Sequence, residues 1–176
     1  MPTTYTPLGH YINVTGIAEC IVARLALTPA GVPNRVCIYP GDVAWDECDC
    51  GMLALTTSRI FGSETFPNEG ISGVGLSNCG LPYMVASIDI TMLRCVPVIQ
   101  DTKRPPTCEK LGAATRTMYE DAFAVWQGTL CCLLEMKRIG MLAEYNLAAQ
   151  TFIGPQGSCA GSTLTIQLGY VGPCCG

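Results

Sequence analysis

The stretch at residues 83–98, YMVASIDITMLRCVPV, constrains the fold more than any other. Met84, Ala86, Ile88, Ile90, Met92, Val96 and Val98 fall on one parity, Ser87, Asp89 and Thr91 on the other. A period of two throws successive side chains to opposite sides of an extended backbone, so the segment predicts a central strand with one apolar face and one solvated or partner-facing side. Such a strand is stable only inside a sheet, and its apolar face must be covered.

The cover is legible on both sides of it. After DTKRPP, Thr107 can cap a long helix with Glu109 in its first turn, where a negative charge favours the helix dipole. Leu111, Ala114, Met118, Ala122, Val125, Thr129, Cys132 and Met136 trace one stripe down that helix, about 45 Å at 1.5 Å per residue. Gly128 is expected to soften its middle, and Lys137, Arg138 and Gly140 supply a cationic last turn and cap. Near the amino terminus, Asn13 or Thr15 can cap a first helix with Val14, Ile17, Ala18, Ile21 and Leu25 on one face, ended by Pro29 and Pro33.

Further strands are predicted at 35–39, before a PGD turn, and at 52–61, with Leu53, Leu55 and Phe61 on one side and Thr56 and Ser58 on the other. Two more, at 145–153 and 163–171, flank GPQGSCAGS, read as an extended hairpin tip at 154–162. Residues 62–82 carry five glycines and two prolines without usable periodicity, a long loop of the kind that is functional or ordered by a partner. The predicted fold class is α+β: a single domain over 1–176, with an antiparallel β-sheet packed against an N-terminal helix and one long helix.

Composition then bears on function. Hydrophobic residues make up 49% of the chain and charged ones 14%, against about 25% charged in an ordinary soluble domain. Mean hydropathy is +0.32. The longest largely apolar stretch, 122–134, is interrupted by Gln127, Gly128 and Thr129 and falls short of the ~20 residues that span a bilayer, so no membrane span is expected. The remaining outlet for surplus apolar surface is a partner chain, and the expectation is an obligate oligomer. A net charge of −4 argues against coating a nucleic-acid duplex. MPTTYTPLGHYINV has neither the basic start nor the apolar core of a secretory signal, so synthesis in a reducing cytosol is expected.

Twelve cysteines are the loudest chemical signal. Their C-x-C and C-C spacings differ from the C-x₂₋₄-C pairs that wrap a tetrahedral zinc ion. A four-thiolate site from Cys48, Cys50, Cys174 and Cys175 is one reading; the favoured one is small buried apolar side chains, some oxidising after release from the cell. Cys48 and Cys50 share a face if extended, and Cys95 lies on the outward side of its strand. Cys48, Cys50, Cys79, Cys95, Cys159, Cys174 and Cys175 are the candidate disulfide cysteines, with connectivity open.

No catalytic constellation emerges, and neither an enzyme nor a cofactor is expected. Asp42, Asp46, Glu47 and Asp49 crowd around Trp45 without the spacing of a calcium loop, and read as a solvated turn or as salt bridges to a neighbouring subunit. His10, the only histidine, is placed in a flexible N-terminal segment, which disfavours triad chemistry. GVGLSNCG lacks the context of a dinucleotide fingerprint. NVT at Asn13 matches a glycosylation sequon that is idle without export. Trp45 and Trp126 read as core or interface anchors.

Taken in order, VCIYPGDVAWDECDCGMLAL, MLRCVPVIQDTKRPPT, YEDAFAVWQGTLCCL and IGPQGSCAGSTLTIQLGY resemble neck proteins of long-tailed bacteriophages, especially those infecting actinobacteria, over most of Arg35 to Tyr170. Within that group the element order is similar to the tail terminator. The resemblance implies a structural virion protein, assembled in the host cytoplasm, whose subunits form a homo-oligomeric, six-membered ring. That ring would bind the tail-tube protein on one side and the head-tail stopper or connector on the other, with DNA passing through the lumen unbound. It places contact regions in loop 62–82, with Phe66, Ile71, Val74 and Leu76, and in the hairpin tip, with Gly154, Pro155 and Gln156, together with Trp45. A head-tail stopper or adaptor of the same neck is the alternative, followed by a cysteine-rich cytosolic enzyme or metal-binding module.

Overall fold

The computed structural model describes residues 9–42, 51–70, 83–97 and 105–171. Along the chain run α1 (Gly9–Leu25), β1 (Arg35–Pro40), β2 (Met52–Ser63), β3 (Tyr83–Cys95), α2 (Cys108–Arg138), β4 (Glu144–Gln156) and β5 (Cys159–Val171). The strands form one sheet in the order β1-β2-β3-β5-β4, so the alternating strand is central, as its pattern requires. The fold is mixed α+β, with the helices against one face of the sheet.

Alternation sorts the residues of β3. Ala86, Ile88, Ile90 and Met92 join Leu53, Leu55, Leu164, Ile166 and Leu168 beneath Ile17, Ile21, Leu25, Val125 and Leu133 of the helices. The opposite face keeps a smaller apolar cluster of Met52, Ala54, Leu93 and Cys159 near one end. Val85 is buried on that face as well, and Asp89, Thr91, Thr163 and Thr165 make its middle polar.

The sheet departs from the expected antiparallel arrangement at one edge, where β1 pairs parallel with β2, Arg35 opposite Met52 and Pro40 opposite Thr57. A parallel neighbour needs the chain to return to its starting end between strands, which a turn signal at PGD does not reveal. Within β2 the register against β3 shifts between Thr57 and Arg59. An extra residue reverses the parity of everything beyond it. Phe61 therefore pairs with Val85 on the outer face, not with Leu53 and Leu55 on the helix side as expected, and the Arg59 guanidinium lies 4.9 Å from its ring centroid.

The hairpin tip is much tighter than 154–162. Gln156 pairs with Cys159, leaving a two-residue loop in which Gly157 has φ 60°. Gly154 to Gln156 belong to β4, and Cys159 to Ser162 to β5. Glycine and proline there mimic a loop, but the left-handed turn needs only one glycine. Gly161 has another duty, since a Cβ on it would run into the Met92 carbonyl oxygen.

Helix α1 starts earlier than expected, and neither Asn13 nor Thr15 caps it. Thr15 Oγ1 instead donates to the Tyr11 carbonyl at 2.9 Å, one turn back inside the helix. Asn13 is buried, its Nδ2 donating to the Tyr170 hydroxyl at 3.5 Å. For α2 the capping expectation holds: Lys110 N donates to Thr107 Oγ1 at 3.4 Å. At its other end Met141 N reaches Met136 O and Gly140 N reaches Lys137 O, with Gly140 at φ 78°, a Schellman closure.

The stripe on α2 is buried only in part. Leu111 is 41% exposed, and continuous burial begins near Asp121 and Ala122. The cause is length: α1 has 17 residues to the 31 of α2 and covers only its C-terminal half. Gly128 does not soften this half. It is the crossing point, where a Cβ would come 2.9 Å from Ile21 Cα and 3.1 Å from Cys20 O.

Candidate interaction surfaces

Among the described residues, two apolar surfaces stand open. One is a groove of about 740 Å³ between α1 and α2, on the side away from the sheet. Tyr11, Ile12, Ile139 and Met141 edge it, and Ile12 and Ile139 are more than half exposed. Its floor is low because Gly16 and Gly128 carry no side chains where the helices meet.

The other surface lies where the uncovered half of α2 meets β4. Tyr119 and Phe152 stack edge to face, centroids 5.0 Å apart, yet remain 60% and 52% exposed, and Phe123 one turn on is 68% exposed. Beside them a cavity of about 160 Å³ is lined by Met118, Ile153, Gly154 and Gly161. The two surfaces share no lining residue. An exposed cluster of three large aromatics is unusual for a lone subunit. Strands β1 and β4 are the edges of the described sheet, and the aromatic surface adjoins β4, whose outer backbone is able to pair further.

Of the residues singled out from sequence, Gly154 lies in this second surface, and Pro155 and Gln156 are exposed beside it. Phe66 is half-buried on its own sheet. Its ring sits against Gly169, where a Cβ would come 2.9 Å from Phe66 Cδ2, and 6.0 Å from the Tyr83 ring centroid. Trp45, Ile71, Val74 and Leu76 lie outside the described residues, as do Cys48, Cys50, Cys79, Cys174 and Cys175. Cys95 is exposed and stands opposite buried Cys159 in the β3–β5 ladder. Cys159 is disulfide-bonded, as expected of it, and the cross-link between two described residues joins Cys20 to Cys132, Cα atoms 6.0 Å apart, a pair that spacing did not single out.

The polar side chains in the middle of the outer sheet face are hydrogen-bonded to one another. Thr165 Oγ1 donates to Asp89 Oδ1 at 2.5 Å, the Thr91 and Thr163 hydroxyls share a bond of 2.9 Å, and Asn146 Nδ2 donates to Gln167 Oε1 at 2.9 Å. None of these six side chains is cationic.

His10 is not in a loose segment; it occupies the first turn of α1. Its Nδ1 lies 3.0 Å from the Tyr170 hydroxyl and its Nε2 3.1 Å from Thr57 Oγ1. Partial burial holds its pKa below the ordinary imidazole value of 6.5. Both ring nitrogens serve to tie α1 to β2 and β5. Burial of Asn13 likewise closes the sequon that contains it.

Two features escaped the sequence. Tyr119 and Phe123 recur four residues apart on a face separate from the Ala122–Val125 stripe, a signal that was available. Arg94 and Asp121 form a buried ion pair between β3 and α2, for which the pattern held no cue except a cation on the apolar parity of β3. Among the described residues no three His, Cys, Asp or Glu side chains come together as a metal site, and no helix is long and apolar enough to cross a membrane. In comparisons with known protein families and with curated proteins, the chain finds no match.

Proposed function

We propose that this chain is a structural virion protein of a long-tailed bacteriophage, a tail terminator whose subunits close into a ring on the tail tube beneath the head-tail connector. The observation that carries the reading is the pair of separate apolar surfaces, the groove at Ile12 and Ile139 and the aromatic patch at Tyr119, Phe123 and Phe152. Distinct patches that meet head to tail generate a ring when the rotation closes, each subunit burying both. A single self-complementary patch would favour a two-fold dimer instead.

The polar sheet face supports the same reading. Among the described residues its central hydroxyls and amides surround Asp89, and the Arg59 guanidinium at one end is paired with Glu69, so the face offers no row of cations to grip passing phosphates. In this account the ring stops tube growth by shape, occupying the open end and presenting its far side to the connector. Electron microscopy of particles made without this protein tests it. Overlong or headless tails are expected; normal tails joined to heads would refute the assignment.

A further inference from the structure

Cys20 and Cys132 are 112 residues apart in the chain, and their bond lies in the wall of the inter-helix groove. Cys20 is half-buried and Cys132 is 7% exposed, so Cys20 is the more open side of the bond. The bond sits beside the closest approach of the two helices, where Gly128 faces Ile21 Cα and Cys20 O. No strand ladder depends on it, because both cysteines are helical.

We propose that Cys20–Cys132 is a redox clasp: a small dithiol entering the groove opens it in the folded chain, and its state sets how firmly α1 is held on α2. In the opening step a thiolate of the dithiol attacks Cys20 Sγ, the S–S bond breaks, and Cys132 leaves as a thiolate that takes up a proton. The second thiol of the reagent then attacks the mixed disulfide, freeing Cys20 as a thiol and closing the reagent's own disulfide. Two electrons and two protons pass from the dithiol to the protein.

The opened state keeps its fold. Cys132 Sγ lies 3.5 Å from the Gly16 carbonyl oxygen, which can accept from the new thiol, and a buried thiol packs as a small apolar group. Ile17, Ile21 and Leu25 still hold α1 on the core, and His10 still meets Tyr170. What is lost is the covalent limit on how far α1 can lift from Gly128. The clasp belongs to one subunit; in the proposed ring a neighbour covers the groove, so a dithiol reaches the bond in the unassembled subunit.

The test uses the folded chain with Cys131→Ser, which removes the exposed thiol lining the same groove. It is treated with graded dithiothreitol and followed by alkylation mass spectrometry and amide hydrogen exchange. Before reduction Cys20 and Cys132 should resist alkylation. Afterwards both should label, with exchange in α1 rising about tenfold or more while β3 and β5 amides stay protected. A Cys20→Ser/Cys132→Ser chain should show the fast α1 exchange without reductant and no further change in α1 on adding it, whatever happens at the separate Cys159 disulfide; should it not fold, the reductant titration carries the same readout. Alkylation of both cysteines without reductant would overturn the proposal, as would reduction only when β3 and β5 also exchange, or α1 exchange unchanged by reduction.

Discussion

Arg94 at the end of β3 and Asp121 in the middle of α2 are joined at two points, Nε to Oδ2 at 2.7 Å and Nη2 to Oδ1 at 3.2 Å, with side chains only 11% and 2% exposed. The same Nη2 donates to the Gly31 carbonyl at 2.5 Å, so one guanidinium fastens the sheet to a helix and to the turn after α1. Asp121 also marks where α2 passes from its open half to its covered half.

Breaking that pair is expected to be severe. Asp121→Ala leaves a buried guanidinium without its counter-charge and should remove about 3–5 kcal/mol of stability in urea unfolding. Arg94→Met with Asp121→Leu should recover most of the loss, because an apolar pair needs no charge compensation. Single substitutions that cost under about 1 kcal/mol would show that the pair is not the fastening described.

Gly128→Ala should destabilise by about 1–3 kcal/mol, although alanine is the better helix former by about 1 kcal/mol, because the new methyl meets the backbone of α1. Gly112→Ala in the same helix points into open space and should stabilise by up to about 1 kcal/mol. Thermal melts of the two variants, shifted in opposite directions, check the crossing geometry.

Acid should weaken the fold partly through His10. Its folded pKa lies below the ordinary 6.5, so the unfolded chain binds the proton more readily. The stability it contributes is full above about pH 6.5 and is withdrawn as pH falls from there through the folded value. Urea midpoints between pH 7.5 and 5 should fall more steeply for the native chain than for His10→Gln; equal slopes would deny the burial of the ring.

Much of this architecture was legible in the sequence. Period-two alternation marked β3 as central, and Thr107 and Gly140 marked the ends of α2, because those signals are local and chemical. The parallel β1–β2 pairing, the bulge that turns Phe61 outward and the Gly128 crossing were not, since each depends on where distant segments meet. The hairpin tip misled for a different reason: Gly154 lies within β4, and Gly161 lies within β5 against the Met92 carbonyl, so neither belongs to the loop. For the candidate surfaces, excess hydrophobicity raised the expectation of a partner. It could not say that the aromatic patch belongs to α2 and β4, because that follows from α1 being too short to cover the long helix.

Assembly should fail from either surface. Phe123→Glu and Ile12→Glu each alter an exposed side chain and should change subunit stability by no more than about 0.5 kcal/mol while preventing ring closure. Mixed together they should give pairs and nothing larger, one intact groove meeting one intact patch. Sedimentation under conditions that assemble the unsubstituted chain checks this, and rings formed by either variant alone would remove that surface from the contact.

The most direct measurement is a reconstruction of the neck of intact tailed particles, at a resolution that traces α2 and the five-stranded sheet. A closed ring of this chain between tube and connector, with the Phe123 surface of each copy buried by its neighbour, is the predicted result. Particles without the chain, or with single copies that leave that surface open to solvent, would contradict the account.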